Sequence, residues 1–225
     1  MSDSANLNQV RLRVPVVEAD LKRLSIGDVV FLDGVIFTGR EAFYRRVVTE
    51  GGPAPEGLFD LTNVNFHCSP AASINDDGGY TIGAVTATAS FRFADALADW
   101  FRLSGCRMII GKGGLSEADY REIFVPHGAV YLTTVGYGTG ALLGRGIRRV
   151  VDVHWLAEFG IAQAVWVLEV ENFGPLLVES DLEGNSLFER ENRKISSRIE
   201  RLYDGFKPPT LGRYGETTSR DDEVI

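Results

Sequence analysis

The sequence predicts an α/β protein. Short apolar, β-branched runs such as VVFLDGVIF, RMII, AVYLTTV and AVWVLEV are bounded by glycine or proline, as buried strands are. Stretches with apolar residues at helical spacing, AFYRRVVTE and SFRFADALADWFRLS among them, fall between these runs. At 225 residues, with 44% hydrophobic and 24% charged content, the chain suits one globular domain able to bury a sizeable core. The expected organisation is a single domain over residues 1–206 and a flexible tail over 207–225, where Pro208-Pro209 and a charged end argue against packing.

Taken in order, residues 10–17 alternate basic and apolar side chains and predict an edge strand with Pro15 near its end. One or two helical turns follow over 18–24, then a turn at Gly27-Asp28. Residues 29–37 read as two short strands joined at Asp33-Gly34, a hairpin signal. Thr38-Gly39-Arg40-Glu41 leads into a helix that runs to Gly51-Gly52. Residues 64–69 predict a buried strand, and NDDGG at 75–79 a turn.

The stretch from Gly83 to Gly114 is the most informative. Its small, β-branched beginning suits a strand end or a tight loop. Ser90 is the expected N-cap of a helix whose apolar face carries Phe91, Leu97, Trp100, Phe101 and Leu103. Thr88 and the first-turn amides then point out of a helix N-terminus, where anions are favoured. Gly105 ends the helix, residues 107–110 read as a strand, and Gly111-Lys112-Gly113-Gly114 forms a loop at its carboxyl end, a good place for ligand contact. Against this, Thr and Ser are ordinary caps, and a loop lysine is often only solvated.

Further on, Ser116 and Asp119 suggest a capping box over a helix at 116–124, with Gly128 ending the segment. A strand over 129–135 runs into Gly136-Tyr137-Gly138-Thr139-Gly140. That G-x-G-x-G spacing is not the dinucleotide-binding fingerprint, so close packing or a substrate carboxylate fits better. Strands are expected over 150–155, 164–170 and 176–180, the last two separated by a turn at Asn172-Phe173-Gly174-Pro175, and a terminal helix from Asn185 onward.

The formal net charge of −8 argues against a nucleic-acid surface but leaves room for a few cations around a small anion. The polar N-terminus shows no signal pattern and no apolar run approaches a membrane span, so a cytoplasmic protein is expected. Cys68 and Cys106 lack a C-x-x-C neighbour and read as buried free thiols. His67, His127 and His154 lack metal-ligand spacing and read as structural.

The chain resembles the iron–sulfur-dependent class I hydro-lyases, that is, the L(+)-tartrate dehydratase β subunit and the class I fumarase C-terminal domain. That family carries G-P-T-T-x-x-R-M, a helix, a strand and then G-K-G; residues 86–93 read TATASFRF here, followed by Gly111-Lys112-Gly113. Thr88, Arg92 and Lys112 match, whereas Thr86, Ala87 and Ala89 replace the glycine, the proline and the second threonine. A family T-A-R-D-x-A-H is matched by Arg40, with Glu41 standing for the aspartate and Tyr44 for the histidine. Trp166, Glu169-Val170-Glu171-Asn172-Phe173 and the run from Asp181 to Phe188 complete the likeness.

The resemblance implies a swivelling β/β/α-type domain with a mostly β core flanked by helices. It implies a β subunit that adds or removes water on a small dicarboxylic hydroxy acid. The four-iron cluster would be supplied by a partner α subunit and act as Lewis acid, since two cysteines cannot provide the usual three ligands. Thr88 and Lys112 would be catalytic, and Arg40, Arg92, Gly111 and Gly113 substrate-binding, with the three cations converging in one cleft. No metal, nucleic acid or membrane is expected on this chain alone, and the assembly is expected to be hetero-oligomeric, with a homodimer open for the isolated chain. The alternative is a catalytically diverged paralogue that binds a dicarboxylate or regulates a partner.

Overall fold

Two long strands organise the sheet in the computed structural model, which describes residues 7–136 and 138–202. β1 (Gln9–Arg13) leads through a helical turn, α1 (Glu18–Leu21), to β2 (Val29–Thr38). Then come α2 (Glu41–Tyr44), continued as a π-helical turn over Arg45–Thr49, α3 (Leu58–Leu61) and β3 (Val64–Phe66). β4 (Cys68–Ile74) and β5 (Tyr80–Ala87) form a separate antiparallel hairpin. A 3₁₀ turn (Ser90–Phe93), α4 (Ala94–Ser104), β6 (Met108–Gly111), α5 (Glu117–Asp119) with its π and 3₁₀ continuations, and β7 (Val130–Thr134) follow. α6 (Thr139–Arg145), β8 (Ile147–His154), α7 (Leu156–Phe159), β9 (Val165–Ser180) and α8 (Leu187–Leu202) complete the order.

The seven-stranded sheet runs β1-β2-β3-β6-β7-β9-β8, and β9 also pairs with β2, so β2, β3, β6, β7 and β9 close into a barrel-like ring. β1, β2, β3, β6 and β7 are mutually parallel, and β9 runs antiparallel to β2, β7 and β8. Both faces of β3, β6 and β7 are buried, which is why they read as short apolar runs, whereas β1 at the edge alternates exposed and buried residues. Val64, Phe66, Met108, Ile110, Val130, Leu132, Trp166 and Leu168 point into one core, and their alternates Phe37, Ile109, Tyr131, Val165 and Val167 meet the helices in a second. Phe43 and Tyr44 of α2 and Leu97, Trp100 and Phe101 of α4 fill that second core. The α/β expectation of a mostly β core flanked by helices holds.

The chain divides into two units, residues 1–188 and 189–225, and the described part of the second is the remainder of α8. The tail expected over 207–225 lies outside the described residues.

Several sequence expectations are corrected. Asp33-Gly34 is no hairpin: β2 is continuous and bulges there, with Gly34 at φ +123° and so close to Val14 that a Cβ would lie 2.5 Å from its carbonyl oxygen. Asn172-Phe173-Gly174-Pro175 is no turn either. β9 runs through it, with Asn172 at φ +51° and Gly174 held so close to Val30 that a Cβ would lie 2.6 Å from its carbonyl oxygen. Asp33 explains both, because it pairs with Arg11 and its Oδ1 accepts from the Asn172 amide at 2.8 Å. The helix expected from Ser90 begins only at Ala94, and Phe91 and Leu103 are exposed rather than on its buried face. Gly105 ends it in the left-handed conformation, and the Ser116–Asp119 capping box forms as read.

Candidate functional site

The carboxyl ends of β2, β3, β6 and β7 lie along one edge of the sheet, where open parallel architectures hold ligands. The β4–β5 hairpin leaves from the end of β3 and returns as a wedge between β3 and β6. The Thr88 N–H donates to His67 O at 2.6 Å, the Lys112 N–H to Thr88 O at 3.2 Å, and the Ser90 N–H to Lys112 O at 3.2 Å. Residues 88–90 are thus stitched to the Gly111–Lys112 segment on the side where the two strands part.

Beside this wedge is a cavity of about 820 Å³. Its walls come from β5 (Thr86, Ala87), the end of β7 (Thr133, Thr134), the glycine-rich turn before α6, and Gly113. Lys112 is the one charged side chain among the described residues that line it. It is half-buried, and its ammonium makes no ion pair or hydrogen bond with any described residue. α6 closes the wall by lying directly on β5. A Cβ at Gly140 would overlap Val85 O, and one at Gly144 would come within 2.5 Å of Gly83 O, so these glycines serve close packing.

The remaining candidates stand differently toward this cavity, and not all of them line it. Thr88 is buried, and its hydroxyl has no hydrogen-bond partner among the described residues, while its neighbours Ala87 and Ala89 line the cavity. It caps no helix: the 3₁₀ turn at Ser90 has no side-chain cap. Arg40 is half-buried at the end of β2; one guanidinium N–H donates to Ala162 O at 2.8 Å, and Nε is buried without a partner among the described residues. Arg92 forms an exposed two-point ion pair with Glu41 at 2.9 and 3.1 Å. Neither arginine is among the cavity's lining residues. Gly113 lines the cavity at φ +77° in open space, whereas Gly111 is crowded from below.

What crowds Gly111 was not readable from the sequence. Five buried polar side chains make a continuous line under the strand ends. Asn65 Nδ2 donates to Tyr44 OH at 2.9 Å; Tyr44 OH meets His67 Nε2 at 2.7 Å; His67 Nδ1 meets Ser90 Oγ at 2.8 Å; and Ser90 Oγ meets Tyr131 OH at 2.7 Å. Tyr131 OH in turn donates to Lys112 O at 3.3 Å. Because the Asn65 amide nitrogen can only donate and the Lys112 carbonyl can only accept, one proton order satisfies every link. Tyr44 gives its hydrogen to Nε2, and His67 is the Nδ1–H tautomer. Burial, aided by the charge of Arg40, pushes the His67 pKa down to about 3, so the ring is neutral. The Ser90–His67 pair resembles a nucleophilic dyad, but Ser90 is 0% exposed, whereas a nucleophile must face its substrate.

A cofactor must be held by groups that suit it. Cys68 and Cys106 lie in different apolar cores, and burial raises both thiols, Cys106 to about 11, whereas cluster ligands are thiolates. Among the described residues, no three His, Cys, Asp or Glu side chains come together as a metal site. The described residues of this chain do not fit as ligands of an iron–sulfur cluster.

Comparison with known proteins adds the family context. A family model described as the fumarase C-terminus matches residues 1–191. The chain is 34% identical over 188 residues to the "Putative L(+)-tartrate dehydratase subunit beta" of Methanocaldococcus jannaschii, covering 83% of this chain and 95% of that protein. It is 30% identical over 188 residues to the L(+)-tartrate dehydratase subunit beta of Escherichia coli K12, covering 82% and 88%. It is 32% identical over 203 residues to the "Putative fumarate hydratase class I" of Geobacillus stearothermophilus, covering 90% of this chain but 37% of that longer protein.

Proposed function

The chain belongs to the fumarase C-terminus family, and we propose that it is the β subunit of a fumarate hydratase or L(+)-tartrate dehydratase type hydro-lyase, acting on a small dicarboxylic hydroxy acid. The observation that carries the reading is Lys112: a half-buried lysine, its ammonium without a counter-ion among the described residues, on the wall of a cavity at the carboxyl ends of parallel strands. A cation held there is complementary to a substrate carboxylate and to negative charge that develops on it. Arg40, half-buried at the neighbouring strand end, supplies a second cation for an anion.

In this reading Lys112 holds or moves a proton at the reacting centre, with Thr88 beside it. Arg40 and Arg92 bind carboxylate, and Gly111 and Gly113 let the backbone approach the substrate. The iron–sulfur cluster that the resemblance implies resides in a partner α subunit, because the cysteines here do not fit it. The active species is then a hetero-oligomer, in the cytoplasm, where two free buried thiols are at home.

The test is an anaerobic assay of the purified chain, alone and co-expressed with its cluster-bearing partner, on malate, tartrate and the hydrated form of mesaconate. Turnover by the complex and none by the isolated chain is expected. Robust turnover by the chain alone contradicts the reading, and dicarboxylate binding without turnover by a cluster-loaded complex identifies a diverged binding subunit.

A further inference from the structure

We propose that Ser90, His67, Tyr44 and Tyr131 are positioning residues for Lys112, forming one directed hydrogen-bond chain that fixes the Gly111–Lys112 peptide and so aims the Lys112 ammonium at the cavity. The inference rests on the reading of Lys112 as a substrate-facing group.

Three features of the geometry carry it. The chain ends on Lys112 itself: its carbonyl takes both the Tyr131 hydroxyl at 3.3 Å and the Ser90 amide at 3.2 Å, and its own N–H is held by Thr88 O. Every side chain in the line is at most 3% exposed, so the order of donors is not exchanged with bulk water. The chain also lies against the backbone it positions. A Cβ at Gly111 would overlap Ser90 Oγ and come within 2.5 Å of Tyr131 OH. The strand end is therefore glycine for the sake of space beneath it.

The same line accounts for Tyr44, which stands where the resemblance expects a histidine. An imidazole is present after all, delivered from the end of β3 as His67 and bonded to the Tyr44 phenol at 2.7 Å. The neutral ring passes an acceptor to one side and a donor to the other, which an amide side chain could do over only part of the span. Catalytic groups need support of this kind, since small misplacements are costly in rate.

The experiment uses the full complex carrying Ser90→Ala, Lys112→Ala and both together. Ser90→Ala should move the same parameter, kcat or KM, that Lys112→Ala moves, by about tenfold, and should add less than twofold on the Lys112→Ala background. Amide exchange at residues 111–113 should quicken in Ser90→Ala. Losses that multiply, or exchange left unchanged, overturn the positioning role. Should Lys112→Ala keep wild-type activity, the functional reading of Lys112 fails, while the exchange measurement still decides the positioning. If Ser90→Ala does not fold, Tyr131→Phe takes its place, removing one hydroxyl and keeping the ring.

Discussion

An alanine at position 111 has nowhere to put its methyl group. Gly111 is not at positive φ, so the backbone itself would accept a side chain; what forbids one is the overlap with Ser90 Oγ and the 2.5 Å approach to Tyr131 OH. Displacing Ser90 Oγ breaks its hydrogen bonds to His67 and Tyr131, at about 1 kcal/mol each, and forces an overpacking cost of about 1–3 kcal/mol. The sum is about 3–5 kcal/mol, or roughly 10 °C in Tm for a domain of this size. Gly113→Ala is the control: it sits at φ +77° with no described residue within 4 Å of the added methyl, and its cost is the left-handed conformation, about 1–2 kcal/mol. Thermal and urea unfolding of both variants, followed by circular dichroism, checks the difference. A Gly111→Ala protein as stable as Gly113→Ala refutes the packing argument and with it the crowded polar line.

Thr88→Val should leave Tm almost unchanged, because the hydroxyl has no partner among the described residues, and should lower kcat of the complex by roughly a hundredfold if Thr88 takes part in proton transfer; an unchanged kcat removes it from the catalytic group. Arg40→Lys should raise KM for a dicarboxylate by about tenfold, since a point charge cannot reproduce the guanidinium fork, and an unchanged KM moves the carboxylate elsewhere. His67 gives a pH signature. With a folded pKa of about 3 against 6.5 for the free side chain, the unfolded chain takes up a proton that the folded chain refuses. Stability therefore falls as pH drops from about 6.5 towards 3, by at most about 1.4 kcal/mol per pH unit from this group. His67→Asn should flatten that slope in unfolding measurements between pH 6.5 and 4, and an unaltered slope places the effect in other groups.

Local chemistry was legible where a residue's role is local. Gly105 at φ +61° and the reciprocal Ser116–Asp119 bonds are set by neighbours within four residues, so the helix end and the capping box could be read directly. Turn-forming residues misled where they mark something other than a reversal. Gly34 and Gly174 allow two strands to approach, and Asn172 allows β9 to bend as its partner changes from β8 to β7, so composition alone suggested turns. The β4–β5 hairpin was half seen, because CSPAASI and YTIGAVTA are small and polar and their pairing lies outside the main sheet.

The site divides the same way. Lys112 between glycines at a strand's end announced itself, and the structure puts it on the cavity wall. Ser90 looked like a cap and His67 like an isolated structural histidine, because their partners are far away in sequence. Tyr44, Asn65, His67, Ser90 and Tyr131 share no local spacing, and the β4–β5 excursion alone brings Ser90 back to His67. The surplus glycine at 111, unexplained by backbone conformation, was the one trace of that line in the sequence.

Whether this chain contributes Lys112 to a hydro-lyase site completed by a partner is decided by kcat/KM of the reconstituted anaerobic complex carrying Lys112→Met. The substitution keeps the length of the side chain and removes its charge, and since the ammonium has no partner among the described residues, assembly and Tm should be preserved. A fall of at least about a hundredfold in kcat/KM is expected with the substrate the wild-type complex turns over. A Lys112→Met complex that assembles normally and retains wild-type kcat/KM would contradict it.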